Sequence, residues 1–159
     1  MKVINTSRSN KYCVPAALSA IMGMEVDDLL PEIREHLGTQ EITGLFIPIA
    51  LSILKKWGYS SESLSVLLQQ GDTRGKSYTL LSLCRVLTRL NRENIYLITI
   101  RGHALVLHAG RIVDSWFPEG FDYQHYPRGK AIVDQTFRIL PPSPVTQQVN
   151  KIVLESRKK

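Results

Sequence analysis

Cysteine is scarce in this chain: Cys13 and Cys84 are the only two in 159 residues. Two cannot make a disulfide scaffold, and no Cys/His cluster has zinc spacing, so no staple, metal or cofactor is expected. No apolar run reaches the ~18 residues of a membrane helix. The first residues carry one lysine and no apolar signal-type stretch, so no secretory signal is expected and a reducing, cytoplasmic setting is the default. Low-complexity tracts, internal repeats and a regular alternation of strand and helix are all missing. So is any RNA-binding signature or basic–aromatic interleaving. The net charge is +6, from 20 basic and 14 acidic side chains. Part of that surplus sits in the terminal Arg157-Lys158-Lys159, which leaves nucleic-acid binding as a minor reading.

What is present is an ordinary globular composition, 43% hydrophobic, in a chain long enough to bury a core. One domain over residues 1–144 is expected, closed by Pro141, Pro142 and Pro144, with 145–159 as a tail or peripheral helix. Residues 14–22 are apolar on every side except Ser19, the pattern of a helix buried all round. Pro15 suits its first turn and Gly23 its end. Further helices are predicted over 28–37, from a Thr43 cap to Trp57, and over 78–90, where Leu80, Leu83, Cys84, Leu87 and Leu90 form a stripe. Residues 60–76 fit either a short strand or a helical turn. The period then changes: 95–100, 103–109 and 111–116 read as consecutive strands, and 131–140 as one or two more. Helices followed by an antiparallel meander make an α+β fold.

Three separated residue types belong to thiol acyl-transfer chemistry. Cys13 directly precedes Val14-Pro15, at the start of the buried helix. There the unpaired N–H groups and the dipole favour a thiolate, and the N–H of Cys13 can face an oxyanion. The alternative is that Cys13 is a small apolar cap. Cys84, mid-stripe, reads as inert packing. Ala109-Gly110 forms a two-residue turn that pairs 108 with 111 and 106 with 113. Side chains alternate faces, so 103, 105 and 107 share a face with 112, 114 and 116. His103 and Asp114 then project to one side, roughly 7–8 Å apart at the backbone. Asp114 is expected to accept the Nδ1 proton of His103 and aim Nε2 at Cys13, with Trp116 shielding the pair from water. His108 falls on the other face of the hairpin and reads as structural or solvated, while His36 and His125, in helical and loop contexts, have no carboxylate at a telling spacing.

Together these residues resemble the papain-like cysteine peptidase superfamily. Asp114-Ser115-Trp116 looks like its Asn-Ser-Trp signature with aspartate substituted. Tyr12-Cys13-Val14-Pro15-Ala16-Ala17-Leu18 is similar to the cysteine motif of the leader-peptide-cleaving domains of bacteriocin exporters. Small phage-encoded papain-fold proteins are closer, matching Cys13-Val14, Ala17-Leu18, Arg101-Gly102-His103, Gly110 and Asp114-Ser115-Trp116. The resemblance implies a nucleophile helix packed on an antiparallel sheet, a catalytic Cys13, His103 and Asp114, a peptide or protein substrate, and host cytoplasm if phage-encoded. The oxyanion glutamine of that family is absent: Ser7 stands at its offset, with Asn5 and Asn10 as the other candidates. A hydrolase acting through an acyl-enzyme is the leading expectation. The alternatives are a catalytically silent papain-fold protein that binds a host target and a transglutaminase-like acyl transferase. Substrate choice is expected to lie in loops 38–44, 69–77 and 117–130. Neither the substrate nor the oligomeric state is written in the sequence.

Overall fold

The all-apolar stretch after Cys13 does form a fully internal helix. In the computed structural model, which describes residues 1–4, 12–38, 42, 44–64 and 78–158, α1 spans Cys13–Met22 and every residue from Val14 to Ile21 is buried. Leu18 alone removes enough apolar surface to contribute ~1.5–3 kcal/mol. Ser19, the lone polar position, is the tie between segments. Its Oγ accepts the Ile4 N–H at 2.9 Å and its hydroxyl donates to the Met24 carbonyl at 2.6 Å. Gly23 ends the helix at φ +67°, a left-handed cap that other residues adopt only with strain.

α2 (Val26–Leu37) begins two residues before the expected start, with Asp27 and Asp28 in its first turn and Arg34 and His36 in its last. Both ends therefore complement the helix dipole. α3 (Ile47–Lys56) starts later than expected, at Ile47 with Pro48 in the first turn. Pro48 fits there because its missing N–H would have been unpaired anyway. Thr43 lies outside the described residues.

Six antiparallel strands follow: β1 (Ser60–Ser63), β2 (Ile95–Ile100), β3 (His103–His108), β4 (Arg111–Val113), β5 (Phe121–Asp122) and β6 (Val133–Leu140). Their order across the sheet is β1-β6-β2-β3-β4-β5. One face, through Leu97, Ala104, Val106 and Ile139, packs on α1, α2 and α3. The other, through Tyr96, Ile98, Ile100, Leu105, Leu107 and Ile112, packs on α4 (Leu80–Leu90). The strict alternation along β3 thus divides its side chains between two cores. Cys84 is fully buried in the second of these, where burial pushes its thiol up to about 12.

The chain ends in α5 (Pro144–Arg157), whose N-cap Ser143 accepts the Thr146 N–H at 3.2 Å. This helix docks through apolar and polar side chains together, with Leu154 packed against the core under α1, α2 and α3. Asn150 Nδ2 donates to the Trp57 carbonyl at 2.7 Å, while Val145, Val149 and Ile152 face outward. The architecture is therefore α+β: N-terminal helices, a six-stranded antiparallel sheet and a C-terminal helix. Among the described residues, no helix is long and apolar enough to cross a membrane.

The β3–β4 turn is tight and carries strain. Val106 pairs with Val113 and His108 with Arg111, the register expected of a two-residue loop. Both loop residues have positive φ, Ala109 at 52° and Gly110 at 74°. Glycine adopts this freely, but alanine does so at a cost of ~1–2 kcal/mol. Ala109→Asn is expected to raise stability by about 0.5–1 kcal/mol, since asparagine tolerates the left-handed region. Gly110→Ala is expected to lower it by about as much. Denaturant midpoints of the two variants should move in opposite directions.

Candidate active site

The chemistry gathers at one end of the sheet, where the start of α1 meets the start of β3. Cys13 is the first residue of α1, and its N-cap, Tyr12, has an extended backbone with no side-chain cap. Pro15 has no N–H, and the Ala16 N–H is already bonded to the Tyr12 carbonyl at 3.2 Å. The positive end of the helix is therefore concentrated on the N–H groups of Cys13 and Val14. The half-buried Cys13 thiol is hydrogen-bonded to the His103 ring and to the Ala104 N–H. Burial alone would raise its pKa, but those hydrogen bonds and the His103 charge hold it below the ordinary thiol value.

His103 is almost fully buried, and its Nε2 donates to Asp114 Oδ2 at 2.8 Å. This reverses the nitrogens expected from the sequence: Nε2 is taken by the carboxylate, leaving Nδ1 for Cys13. The hairpin sets the face on which the ring lies but not its rotation, and rotation decides which nitrogen points where. Burial pulls the imidazole pKa down. The Asp114 and Cys13 hydrogen bonds, with the charges on both, bring it above its usual value.

Asp114 is wholly buried and accepts four hydrogen bonds. Oδ2 takes His103 Nε2–H and the Tyr126 hydroxyl, the latter at 2.5 Å. Oδ1 takes the backbone N–H groups of Trp116 at 3.0 Å and Phe117 at 2.7 Å. Desolvation would raise this carboxyl, but the hydrogen bonds from His103, Tyr126 and the Phe117 N–H hold it below the usual range. The same two backbone bonds explain a correction to the predicted strand over 111–116. Asp114 wraps residues 115–117 around its own carboxylate, so β4 stops at Val113.

Trp116 has left the strand yet still covers the imidazole. Its ring stacks on His103 at 4.0 Å between centroids and 7° between planes, while 52% of the residue remains exposed. It shields one face of the pair and offers its edge to solvent. The Cys13, His103 and Asp114 side chains are thus brought into one hydrogen-bonded line. Comparisons with protein-family models, curated proteins and solved structures found no match to this chain.

The oxyanion candidates Asn5, Ser7 and Asn10 all lie outside the described residues. Among the described residues, no group of three His, Cys, Asp or Glu side chains gathers as a metal site. His108 Nδ1 lies 3.4 Å from the Asn94 carbonyl and His36 Nδ1 2.8 Å from the Glu32 carbonyl, both away from this cluster. Tyr126 was not anticipated. It follows a single 3-10 turn, Tyr123–His125, within the 117–130 loop. No periodicity there marks it, although a tyrosine inside a loop credited with shaping the cleft is the one available hint.

Proposed function

We propose that this chain is a papain-like cysteine hydrolase acting on a peptide or isopeptide bond. The observation that carries this reading is the line Cys13–His103–Asp114, with the thiol at a helix start and the acid inaccessible to water. A thiol held low beside an imidazole held high favours the thiolate–imidazolium pair at neutral pH. In the reaction, the Cys13 sulfur attacks the carbonyl carbon and the carbonyl oxygen takes the negative charge. His103 gives its proton to the leaving nitrogen, the C–N bond breaks, and a thioester forms at Cys13. Water then attacks that thioester while His103 takes its proton, and the sulfur leaves as thiolate. Asp114 stabilises the imidazolium and fixes its tautomer throughout. The N–H of Cys13 is the oxyanion donor that the helix start supplies.

The test is the pH dependence of iodoacetamide labelling at Cys13, read by peptide mass mapping. The rising limb is expected well below the free-thiol value of ~8.5. Reactivity per thiolate should change again as the pH passes the raised His103 value. His103→Ala should return the rising limb toward ~8.5 and slow labelling at pH 6 by about tenfold or more. A native profile with a single rise near the free-thiol value would overturn the hydrolase reading in favour of a binding protein.

A further inference from the structure

We propose that Arg128 and Trp116 form a subsite for a carboxylate on the leaving segment of the substrate. This deepens the hydrolase reading and rests on it. His103 has to reach the leaving nitrogen to protonate it, so the released segment must run across or beside the imidazole. Trp116 is stacked on that ring and half exposed, which makes it the next surface along this path. The Arg128 guanidinium carbon lies 5.6 Å from the Trp116 ring centroid. Arg128 Nη2 also donates to the Arg101 carbonyl at 3.3 Å, two residues before His103. The arginine is therefore tethered both to the ring that covers His103 and to the chain two residues before it.

Its charge is not spent. A guanidinium carries five N–H donors, and the Arg101 carbonyl engages one of them. Among the described residues no carboxylate pairs with Arg128. Asp114, the acid nearest the chemistry, already accepts four hydrogen bonds and is shut away from water. Arg101, whose carbonyl Arg128 holds, is itself an exposed cation. A planar, weakly hydrated cation resting on an aromatic ring suits bidentate capture of a carboxylate. That carboxylate belongs either to an acidic side chain or to a chain end.

Three dipeptide disulfides test this, because Cys13 attacks each S–S bond and expels a dipeptide thiolate in the leaving-group position. The symmetric disulfide of acetyl-Cys-Ala-amide is neutral. That of acetyl-Cys-Asp-amide carries a side-chain carboxylate on each half, and that of acetyl-Cys-Ala with a free C-terminus a chain-end one on each half, so the expelled half always bears the charge. At least one charged probe is expected to modify Cys13 about fivefold faster than the neutral probe at low salt. Arg128→Gln, shown to be folded by its circular dichroism and denaturant midpoint, should abolish that preference, read as the ratio of charged to neutral rates within the variant. Arg128→Lys should restore part of it. The faster of the two charged probes identifies the source of the carboxylate. Equal rates for all three in the native protein, or a preference that survives Arg128→Gln, would overturn the subsite while leaving the hydrolase reading intact. A neutral probe that reacts at Cys13 only as an ordinary thiol would remove the hydrolase reading, and the subsite with it.

Discussion

Asp114→Asn should lower Cys13 labelling at pH 6 by about tenfold or more, as His103→Ala does, and any hydrolytic turnover by ~10²–10⁴, while leaving the protein folded. The reason is a count of donors. Four donors converge on this carboxylate and none of its neighbours asks it for a proton. An asparagine has one accepting oxygen. Facing that oxygen toward His103 and Tyr126 aims its NH₂ at the Trp116 and Phe117 N–H groups. Turning it toward the backbone aims the NH₂ at His103 instead, which forces the proton onto Nδ1 and leaves no base facing the thiol. The papain-like Asn-Ser-Trp signature therefore cannot simply replace Asp114-Ser115-Trp116 here. Asp114→Ala goes further, leaving two buried donors, on His103 and Tyr126, and two partly buried backbone N–H groups short of an acceptor, at a cost of about 3–5 kcal/mol.

The same group sets the pH window of stability. Asp114 is held below its ordinary value, so its contribution is complete above ~4 and is lost as the pH falls through its lowered folded value. His103 is held above its ordinary value, so its share is present below ~6.5 and is lost as the pH rises through its raised folded value. In Asp114→Ala the acid limb of a plot of unfolding midpoint against pH should flatten.

Glu32→Ala is the second large effect expected, far from the thiol. Glu32 is 5% exposed in α2, yet it meets three donors, two from the C-terminal end of α3 and its cap and one from α5. Oε2 accepts Trp57 Nε1–H at 2.9 Å, and Oε1 accepts from Lys56 at 3.1 Å and Arg157 at 3.4 Å. Burial would raise this carboxyl, but the Trp57 and Lys56 bonds hold it below its usual value. Truncation strands a buried indole N–H and cuts the link to α5, for about 2–3 kcal/mol. Glu32→Gln keeps an acceptor for Trp57 and loses only pairs with half-exposed cations, each worth ~0–1 kcal/mol. Denaturant midpoints should rank the native chain, then Gln, then Ala. Amide exchange in residues 144–157 should quicken most in the alanine variant.

Side-chain periodicity made the core helices and the central hairpin legible. The α1 stretch has no polar stripe and so must be internal, and the Ala109-Gly110 turn fixes the parity that puts Leu105, Leu107 and Ile112 in one core. That same parity brought His103 and Asp114 to one side. What was less legible depends on capping or on edges. β1, Ser60–Ser63, takes the strand alternative of the two that residues 60–76 allowed, and pairing with β6 rather than any apolar alternation in four exposed polar residues decides it. β4 ends at Val113 because an aspartate can bond the N–H groups two and three residues ahead, a local contest that hydropathy does not register. β5 is only two residues long. The ring orientation of His103 and the arrival of Tyr126 are set by packing between distant segments, which spacing along the chain does not encode.

The sulfur belongs to the helical layer on one side of the sheet, whereas Tyr126, which braces Asp114, belongs to the core on the other. The hydrogen-bonded line from sulfur to phenol is therefore a gauge of how the two layers are seated. Hydrogen bonds weaken steeply with separation and angle, so a loosening of either core should break that line first. Thiol reactivity should accordingly fade on warming ahead of the loss of helical circular dichroism, making Cys13 an internal reporter of interlayer seating.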